Sequence, residues 1–407
     1  MTPHDIRHAL IAHDELALFD LRDEHPFAGG HPLFAAQLPP HRIAIEIERR
    51  VPRKATPIVL YDDGEDLVDA ALSEIRSLGY TNVSALGGGL AAWKAAGYEL
   101  FQDVNSYSKA FGELVEVRRH TPSVAAPDLQ ALIDAKADIA ILDARRFDEY
   151  ATMSIPTGTS VPGGELVLRA RTAAPDPDTL IVVNCAGRTR SIIGTQSLIN
   201  AGLPNRIVAL RNGTIGWTLA GQSLDKGQAR RIAEVAPDRR DEARVKARDV
   251  AYRAGVRHID AATLARLAGE TDRTLYRFDV RTPEEHAAGH PAGFVEAPGG
   301  QLVQETDHFA PVRGARIVLA DDIGPRADMT ASWLAQMGWD VLVLEGGFDG
   351  ALETGSTALP ARGREGRYKR PYEGTDNAAA AMQAYLDWEY GLVDQLARDG
   401  THGFVVI

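Results

Sequence analysis

The residues best suited to chemistry lie in one short stretch around Cys185, the only cysteine in the 407-residue chain. Residues 180–194 read LIVVNCAGRTRSIIG, an apolar run, the cysteine, a short loop and a second apolar segment. This order predicts a buried strand that ends at the thiol and a helix that begins just after it. A helix N-terminus and nearby guanidinium groups both favour a thiolate. Because Arg188 and Arg190 follow Cys185 closely, the loop predicts a nucleophile beside an anion site.

Two interpretations of this loop compete. A lone cysteine after an apolar run is in many proteins an inert core residue. An inert buried thiol needs no guanidinium groups three and five positions later, and this favours a reactive one. The loop itself could curl into a nest of backbone N–H groups that binds an anion, through Ala186, Gly187, Arg188, Thr189, Arg190 and Ser191.

Composition restricts the classes of protein to consider. The net charge of −12 argues against a general binder of nucleic acid or anionic membrane, and it makes a local arginine pair more notable. A single cysteine excludes an intrachain disulfide, and no Cys/His cluster has zinc spacing. The charged N-terminus has no signal-peptide core, and no apolar run approaches the ~18 residues of a membrane span. We therefore expect a cytoplasmic protein without a metal or organic cofactor.

The chain contains three copies of one pattern, in which an apolar strand ends in an acidic residue and is soon followed by arginine. A second apolar strand, a helix, a short strand and a Gly-rich turn follow in each copy. The opening strands are predicted at 16–20, 139–143 and 275–279, the second strands at 57–61, 180–184 and 316–320, the helices at 67–78, 191–201 and 327–337, and the short strands at 83–86, 207–210 and 341–344.

Strands of this kind, alternating with helices, predict parallel α/β sheets, in which ligands bind beyond the carboxyl ends of the strands. Aligning the copies places Asp62 and Asp321 at the position of Cys185. The sequence therefore predicts three similar domains with one thiol among them.

The repeats predict domains at 1–102, 121–224 and 256–355. A charged linker at 103–120 could be helical between 107 and 117, and a charged helical linker spans 225–255, its charge run most simply a solvated face. A tail, 356–407, contains a predicted helix over 377–398. Because a lone helix is marginal in water, we expect it to dock on a domain or on a second copy of the chain, which would make a homo-oligomer.

At this point the sequence resembles the rhodanese-like sulfurtransferases, as three tandem domains of mostly parallel sheets flanked by helices. The third copy has the most recognisable entry motif, Asp279-Val280-Arg281-Thr282-Pro283-Glu284-Glu285-His286, and the second has a variant, Asp143-Ala144-Arg145-Arg146-Phe147-Asp148-Glu149-Tyr150. The segment Asn212-Gly213-Thr214-Ile215-Gly216-Trp217 is similar to the closing turn of the family.

The resemblance implies a mechanism in two displacements. The Cys185 thiolate takes the outer sulfur of an anionic donor, and the resulting persulfide passes that sulfur to cyanide, a thiol or a cysteine of a partner protein. Loop N–H groups from Ala186 to Ser191 would stabilise developing charge, while Arg188 and Arg190 would bind the donor. Either arginine could instead pair with a carboxylate, and Glu149 is the candidate for Arg190.

The resemblance also assigns supporting roles around the loop. Asp143 and Arg145 are expected to hold its base, Arg146 to reach the mouth of the site, and Trp217 to lie in the core. The histidine of the common Gly-His-Ile-Pro motif is Ser154 in the second domain, whereas the other copies have His290 and His31. An arginine-rich loop suits thiosulfate better than mercaptopyruvate, an argument from charge alone.

Two rival functions remain at this stage. A phosphatase or arsenate reductase of the related loop type has five residues between cysteine and arginine, whereas Arg190 follows Cys185 after four. A non-catalytic scaffold or sulfur sensor is the other rival, supported in the outer domains by Asp62 and Asp321, since an aspartate cannot carry a persulfide.

Overall fold

The computed structural model describes residues 1–232, 234–362, 368–370 and 372–407. The first domain is an α/β unit with strands Leu16–Asp20, Ala36–Gln37, Ile58–Tyr61 and Val83–Ala85 and helices Pro3–Ala12, Glu24–Gly29, Ile43–Arg50, Val68–Ser77 and Gly89–Ala95. Its four strands pair in parallel. The edge of this sheet is completed by Val312–Arg313, which runs antiparallel to Leu16–Asp20.

The second domain is built around a five-stranded parallel sheet. In spatial order its strands are Ser123–Val124, Ile207–Leu210, Leu180–Asn184, Ile139–Asp143 and Thr159–Ser160, with helices Ala126–Asp134, Phe147–Thr152, Leu166–Ala173, Thr189–Asn200 and Gly213–Leu219. The strand that ends before Cys185 is central, so the thiol emerges at the middle of the carboxyl edge of the sheet.

The third domain repeats this parallel arrangement. Its strands, again in spatial order, are Arg257–Ile259, Asp340–Leu344, Arg316–Ala320, Leu275–Asp279 and Val295–Glu296, and its helices are Ala261–Ala268, Pro283–Ala288, Gly299–Gln304, Thr306–Phe309 and Pro325–Gln336. A separate pair joins His290–Pro291 to Leu352–Glu353. Single 3₁₀ turns lie at Pro40–Arg42 and Gly163–Glu165.

The two segments between the domains are packed elements rather than exposed connectors. Residues Ser106–Arg119 form a helix, here called the central helix, that buries Tyr107, Phe111 and Val115 in the largest core cluster. It approaches the helix after the cysteine loop so closely that a Cβ on Gly112 would lie 2.8 Å from Cγ2 of Thr189. The predicted helical span 107–117 is thus part of a longer helix that the domains enclose.

The charged segment after the second domain becomes helical only at Pro237–Arg253. Its small residues Ala243, Ala247, Val250 and Ala251 are buried, while most of its charged side chains remain at least partly exposed. The expectation of a merely solvated face is therefore incomplete, because a narrow alanine stripe packs against the domains that the helix connects.

The tail forms two helices, Ala378–Tyr390 and Leu392–Asp399, instead of the single predicted one, with a break at Gly391. Leu392, Leu396 and Phe404 join the largest core cluster, and Tyr385 and Leu386 pack with Ile215 beside the cysteine loop. The sequence left open whether the tail docks on a domain of its own chain or on a second copy. The structure shows it packed on the chain's own domains. No helix in the described ranges is long and apolar enough to cross a membrane.

Candidate active site

The base of the cysteine loop is held by a buried ion pair. Arg145 donates from Nε and Nη2 to the two carboxylate oxygens of Asp143, at 2.9 and 2.7 Å, and Asn184 donates to the same carboxylate at 2.9 Å. Arg145 also reaches the carbonyl of Met153 at 2.6 Å. The same pair recurs as Arg22 with Asp20 and Arg281 with Asp279. In all three domains the arginine also donates to the backbone carbonyl eight residues further along the chain, so the pair fixes the end of the strand to the segment that follows it.

Cys185 itself is buried, with 2% of its surface exposed. Its Sγ lies 3.5 Å from Oγ of Ser191, and that hydroxyl donates to the carbonyl of Arg188 at 2.8 Å. The helix after the loop begins at Thr189, two residues earlier than predicted, so Ser191 lies in its first turn. The loop therefore folds back far enough for Ser191 to lie beside the thiol.

Burial raises the pKa of the Cys185 thiol, and the charge of Glu389 raises it further, while Arg190 and hydrogen bonds from Ser191 oppose this rise. The expectation that the helix N-terminus and the arginines favour the thiolate is met only in part, because the pKa of the enclosed thiol rises overall. Desolvation of the enclosed sulfur outweighs the single guanidinium that acts on it.

Arg190 makes a two-pronged contact with Glu149, at 2.7 and 3.0 Å. Although burial opposes ionisation, Arg190 lowers the pKa of Glu149 to about 2, so the pair is charged near neutral pH. Arg146 contacts Asp148 and Glu149 from the surface, with about half of its side chain exposed. The charge of Arg190 therefore acts on the thiol while its guanidinium group is already paired with the Glu149 carboxylate.

Arg188 is held mainly by partners from outside the cysteine domain. It donates to both carboxylate oxygens of Glu113, each at 2.8 Å, and it pairs with Glu116. Its guanidinium also lies 3.9 Å from the ring centroid of Tyr390 and donates to the hydroxyl of that residue. Arg188 thus links the loop to the central helix and the tail.

The tail and the central helix close a small cavity over the thiol. It leaves room of about 30 Å³ for water-sized molecules, enough for about two waters. Besides the loop residues 185–190, the lining comprises Ser108, Lys109, Gln304, Ile215, Arg370, Tyr372, Tyr385 and Glu389. Lys109 and Arg370 both contact the carboxylate of Asp103. This cover leaves little room for a donor beside Cys185.

Sequence reasoning missed the residues that come from the central helix and the tail. Glu113, Lys109 and Glu389 belong to no repeat and no motif, and the first two lie about 75 residues from the loop that they face. The one available signal is the i, i+4 spacing of Lys109 and Glu113, which places both on one face of the predicted helix. Trp217 is fully buried and donates to the carbonyl of Ser223.

The outer domains fill the equivalent loop with their own carboxylate. Asp62 accepts from the backbone N–H groups of Gly64 and Leu67, at 3.1 and 2.7 Å. Asp321 accepts from the backbone of Gly324 and Arg326 and from the guanidinium of Arg326. Arg326 stands at the position of Arg190, and it pairs with Glu285 as Arg190 does with Glu149. These contacts show that the loop architecture binds an anionic group.

His31 and His290 are buried and hydrogen-bonded to backbone carbonyls. His31 contacts Pro32 and Asp103, and His290 contacts the carbonyl of His286. Both histidines therefore connect segments of the chain through buried hydrogen bonds. Among the described residues no cluster of side chains has the composition of a metal site.

A cysteine loop at the carboxyl edge of a parallel sheet, in the middle one of three similar domains, defines a class of tandem α/β proteins with a single cysteine loop. The model of the rhodanese-like domain matches residues 2–96, 125–220 and 260–354. The chain therefore belongs to the rhodanese-like family, and it is a sulfurtransferase of that family.

Solved structures show the extent of the likeness. A thiosulfate sulfurtransferase from Pseudomonas aeruginosa is 49% identical, with a TM-score of 0.96, and the match covers 100% of this chain and 99% of that one. A rhodanese-like domain from Anabaena sp. is 28% identical over 26% of this chain and 79% of that one, with a TM-score of 0.23. A rhodanese-related protein from Thermoplasma volcanium is 27% identical over 26% and 97%, with a TM-score of 0.22. No curated protein matches the chain.

Proposed function

We propose that the protein moves sulfane sulfur from thiosulfate, through a persulfide on Cys185, to a thiophilic acceptor. The observation that supports this most is that the position of Cys185 is taken, in each of the other two domains, by a carboxylate that accepts hydrogen bonds from the N–H groups of its loop. The nucleophile is thus placed where the fold accommodates an anion. The full-length likeness to a protein described as a thiosulfate sulfurtransferase supports the same donor.

In the first step the Cys185 thiolate attacks the outer sulfur of thiosulfate. A bond forms between Sγ and that sulfur, the S–S bond of thiosulfate breaks, and sulfite leaves with the electron pair. Among the cations around the loop we assign donor binding to Arg190, because its charge acts directly on Cys185. Arg188 would reach the donor only by releasing Glu113 or Glu116. We assign it a positioning role in the closed protein.

In the second step an acceptor attacks the outer sulfur of the persulfide and releases the Cys185 thiolate. Because the chain has one cysteine, no second thiol of the same chain can resolve the persulfide. The acceptor is therefore external: cyanide, a small thiol or a cysteine of a partner protein. The outer domains, with Asp62 and Asp321 in place of the thiol, take no covalent part.

Intact-protein mass spectrometry after incubation with thiosulfate tests this function. We expect a gain of one sulfur atom, about 32 Da, that disappears on adding cyanide. The variant Cys185→Ser should gain nothing, and Asp387→Asn, which alters an exposed residue of the tail, should behave as the parent. Failure of the parent to gain sulfur from either thiosulfate or mercaptopyruvate would contradict the proposal and favour a binding role for the loop.

A further inference from the structure

Glu389 is a buried carboxylate of the tail that the loop chemistry described so far does not use. It is 2% exposed, and its Oε2 has no hydrogen-bond partner within the described part of the chain. The side chain points at the cysteine loop, because a Cβ added to Gly187 would lie 3.3 Å from Oε2 and 3.8 Å from Oε1. Its charge also acts on Cys185 itself. Glu389 thus forms part of the roof over the thiol.

The cavity contains a second unused acceptor. Gln304 lines the same space, and its Oε1 is also buried without a hydrogen-bond partner within the described part of the chain. Buried acceptors left unpaired are costly, so a cavity with two of them is suited to a ligand that donates a hydrogen. Thiosulfate and sulfite as dianions carry no hydrogen to donate, whereas a thiol does. The unpaired oxygens therefore match the acceptor better than the donor.

The cations around the cavity leave Glu389 without an ion-pair partner. Lys109 and Arg370 contact Asp103, Arg188 contacts Glu113 and Glu116, and Arg190 contacts Glu149. Within the described residues no cation lies within ion-pair distance of Glu389. A carboxylate that is buried without a dedicated cation can gain and lose a proton easily, which is what a proton carrier requires.

We infer that Glu389 is the general base of the second half-reaction, taking the proton of a thiol acceptor as its sulfur attacks the persulfide on Cys185. This rests on the proposed function. The thiol proton moves to the Glu389 carboxylate, a bond forms between the thiol sulfur and the outer sulfur, and the bond from that sulfur to Sγ breaks. The electron pair stays on Cys185 as a thiolate. The acceptor becomes a persulfide, and no external oxidant or reductant is needed.

The electrostatic surroundings suit this role. Burial raises the pKa of Glu389 to about 7, with Lys109 opposing the rise and Glu113 adding to it. The charged or titratable groups that face it are Lys109, Glu113, Arg188, Cys185, Arg370 and Asp103. Tyr372 and Tyr385 lie nearby but stay neutral, because burial raises the pKa of Tyr372 to about 12 and that of Tyr385 well above its usual value. A base with a pKa near the working pH is the most effective one.

The test separates the two half-reactions in single turnovers. Protein loaded with thiosulfate is freed of excess donor and mixed at pH 8 either with 2-mercaptoethanol or with sulfite, an acceptor with no proton to lose. In Glu389→Gln we expect loading within about threefold of the parent, sulfite transfer unchanged or faster, and thiol transfer at least about tenfold slower. Asp387→Asn, which removes a charge from the exposed face of the same helix, should leave all three rates unchanged.

A pH series provides a second readout. In the parent, thiol transfer should fall as the pH drops through about 7 and Glu389 becomes protonated, and this limb should be absent in Glu389→Gln. Glu389→Asp keeps a carboxylate, shortened by one methylene, and should restore part of the rate and the limb.

Equal losses with thiol and sulfite, or no loss with either, would overturn the role of Glu389 while leaving the persulfide cycle intact. A parent protein that never gains sulfur would overturn the proposed function and this inference together. If Glu389→Gln loses its fold, visible in its circular dichroism, Glu389→Asp with the pH series still decides between the outcomes.

Discussion

The pKa of the Cys185 thiol is set by effects that oppose one another. Enclosure and the charge of Glu389 raise the pKa of the thiol, and Arg190 and Ser191 lower it without cancelling the rise. The closed protein therefore holds a mostly neutral thiol near neutral pH. Movement of the cover, or protonation of Glu389, would shift the balance towards the thiolate.

Alkylation kinetics measure this balance directly. Because thiolate is the reactive form, the rate of Cys185 alkylation by iodoacetamide should reach its midpoint above the ordinary thiol value of about 8.5. In Arg190→Gln the pKa of the thiol should rise further, since the favourable charge is lost and Glu149 keeps only its longer contact with Arg146. At pH 8 we expect alkylation to slow about fivefold or more.

Arg146→Gln is the matched control for this experiment. Arg146 also contacts Glu149, but from the surface and with half of its side chain exposed. Its replacement should change the alkylation rate less than about twofold. Equal effects of the two substitutions would mean that Arg190 does not act on the thiol through its charge.

At the scale of single elements, the tail helix Ala378–Tyr390 forms part of the cover over the thiol. It rests on the cysteine domain through Leu386 and Tyr385, which pack against Ile215. Leu386→Ala would remove a side chain that is 1% exposed, at a cost of about 2–5 kcal/mol to that contact. The helix should then detach more often than the domains unfold.

We expect Cys185 in Leu386→Ala to be alkylated at least about tenfold faster at pH 8 than in the parent, with the domains still folded by circular dichroism. Gln383→Ala, on the exposed face of the same helix, is the control and should leave the rate unchanged. Unchanged alkylation in Leu386→Ala would show that the thiol is reached without movement of the tail.

The elements also show which features a sequence can predict. The strand before Cys185 and the helix after it follow from an apolar run and its neighbours within about 15 residues, and the structure has both. The Arg190–Glu149 contact was foreseen as an alternative, because Glu149 belongs to the same repeat. Lys109 and Glu389 reach the site through tertiary packing of segments that the repeats do not include. No local pattern encodes that packing.

At the scale of the whole molecule, the largest hydrophobic core crosses the domain boundaries. The largest hydrophobic cluster joins residues of the first and third domains, the central helix and the tail. Buried hydrogen bonds also cross the boundaries, from Tyr276 to the carbonyl of Arg50 at 2.5 Å and from Trp333 to the hydroxyl of Ser197 at 2.8 Å. The three domains should therefore be thermodynamically coupled.

We expect a single cooperative unfolding transition in urea, with coincident midpoints by circular dichroism and by tryptophan fluorescence. The five tryptophans are spread over the three domains and the tail, so the fluorescence reports on every part. Tyr276→Phe, which loses the bond to Arg50, should lower this one midpoint without splitting the transition. Two or three separate steps would show that the shared core does not couple the domains.

The pairing of Val312–Arg313 with the first strand of the chain also has a consequence for the order of synthesis. About 300 residues separate the two strands, so at about 5–20 residues per second the edge of the first sheet stays open for roughly 15–60 s on the ribosome. An uncovered strand edge is a template for pairing with other chains. A nascent chain that stalls before residue 312 would therefore expose this strand edge, and aggregation of this protein should depend on how quickly its third domain is translated.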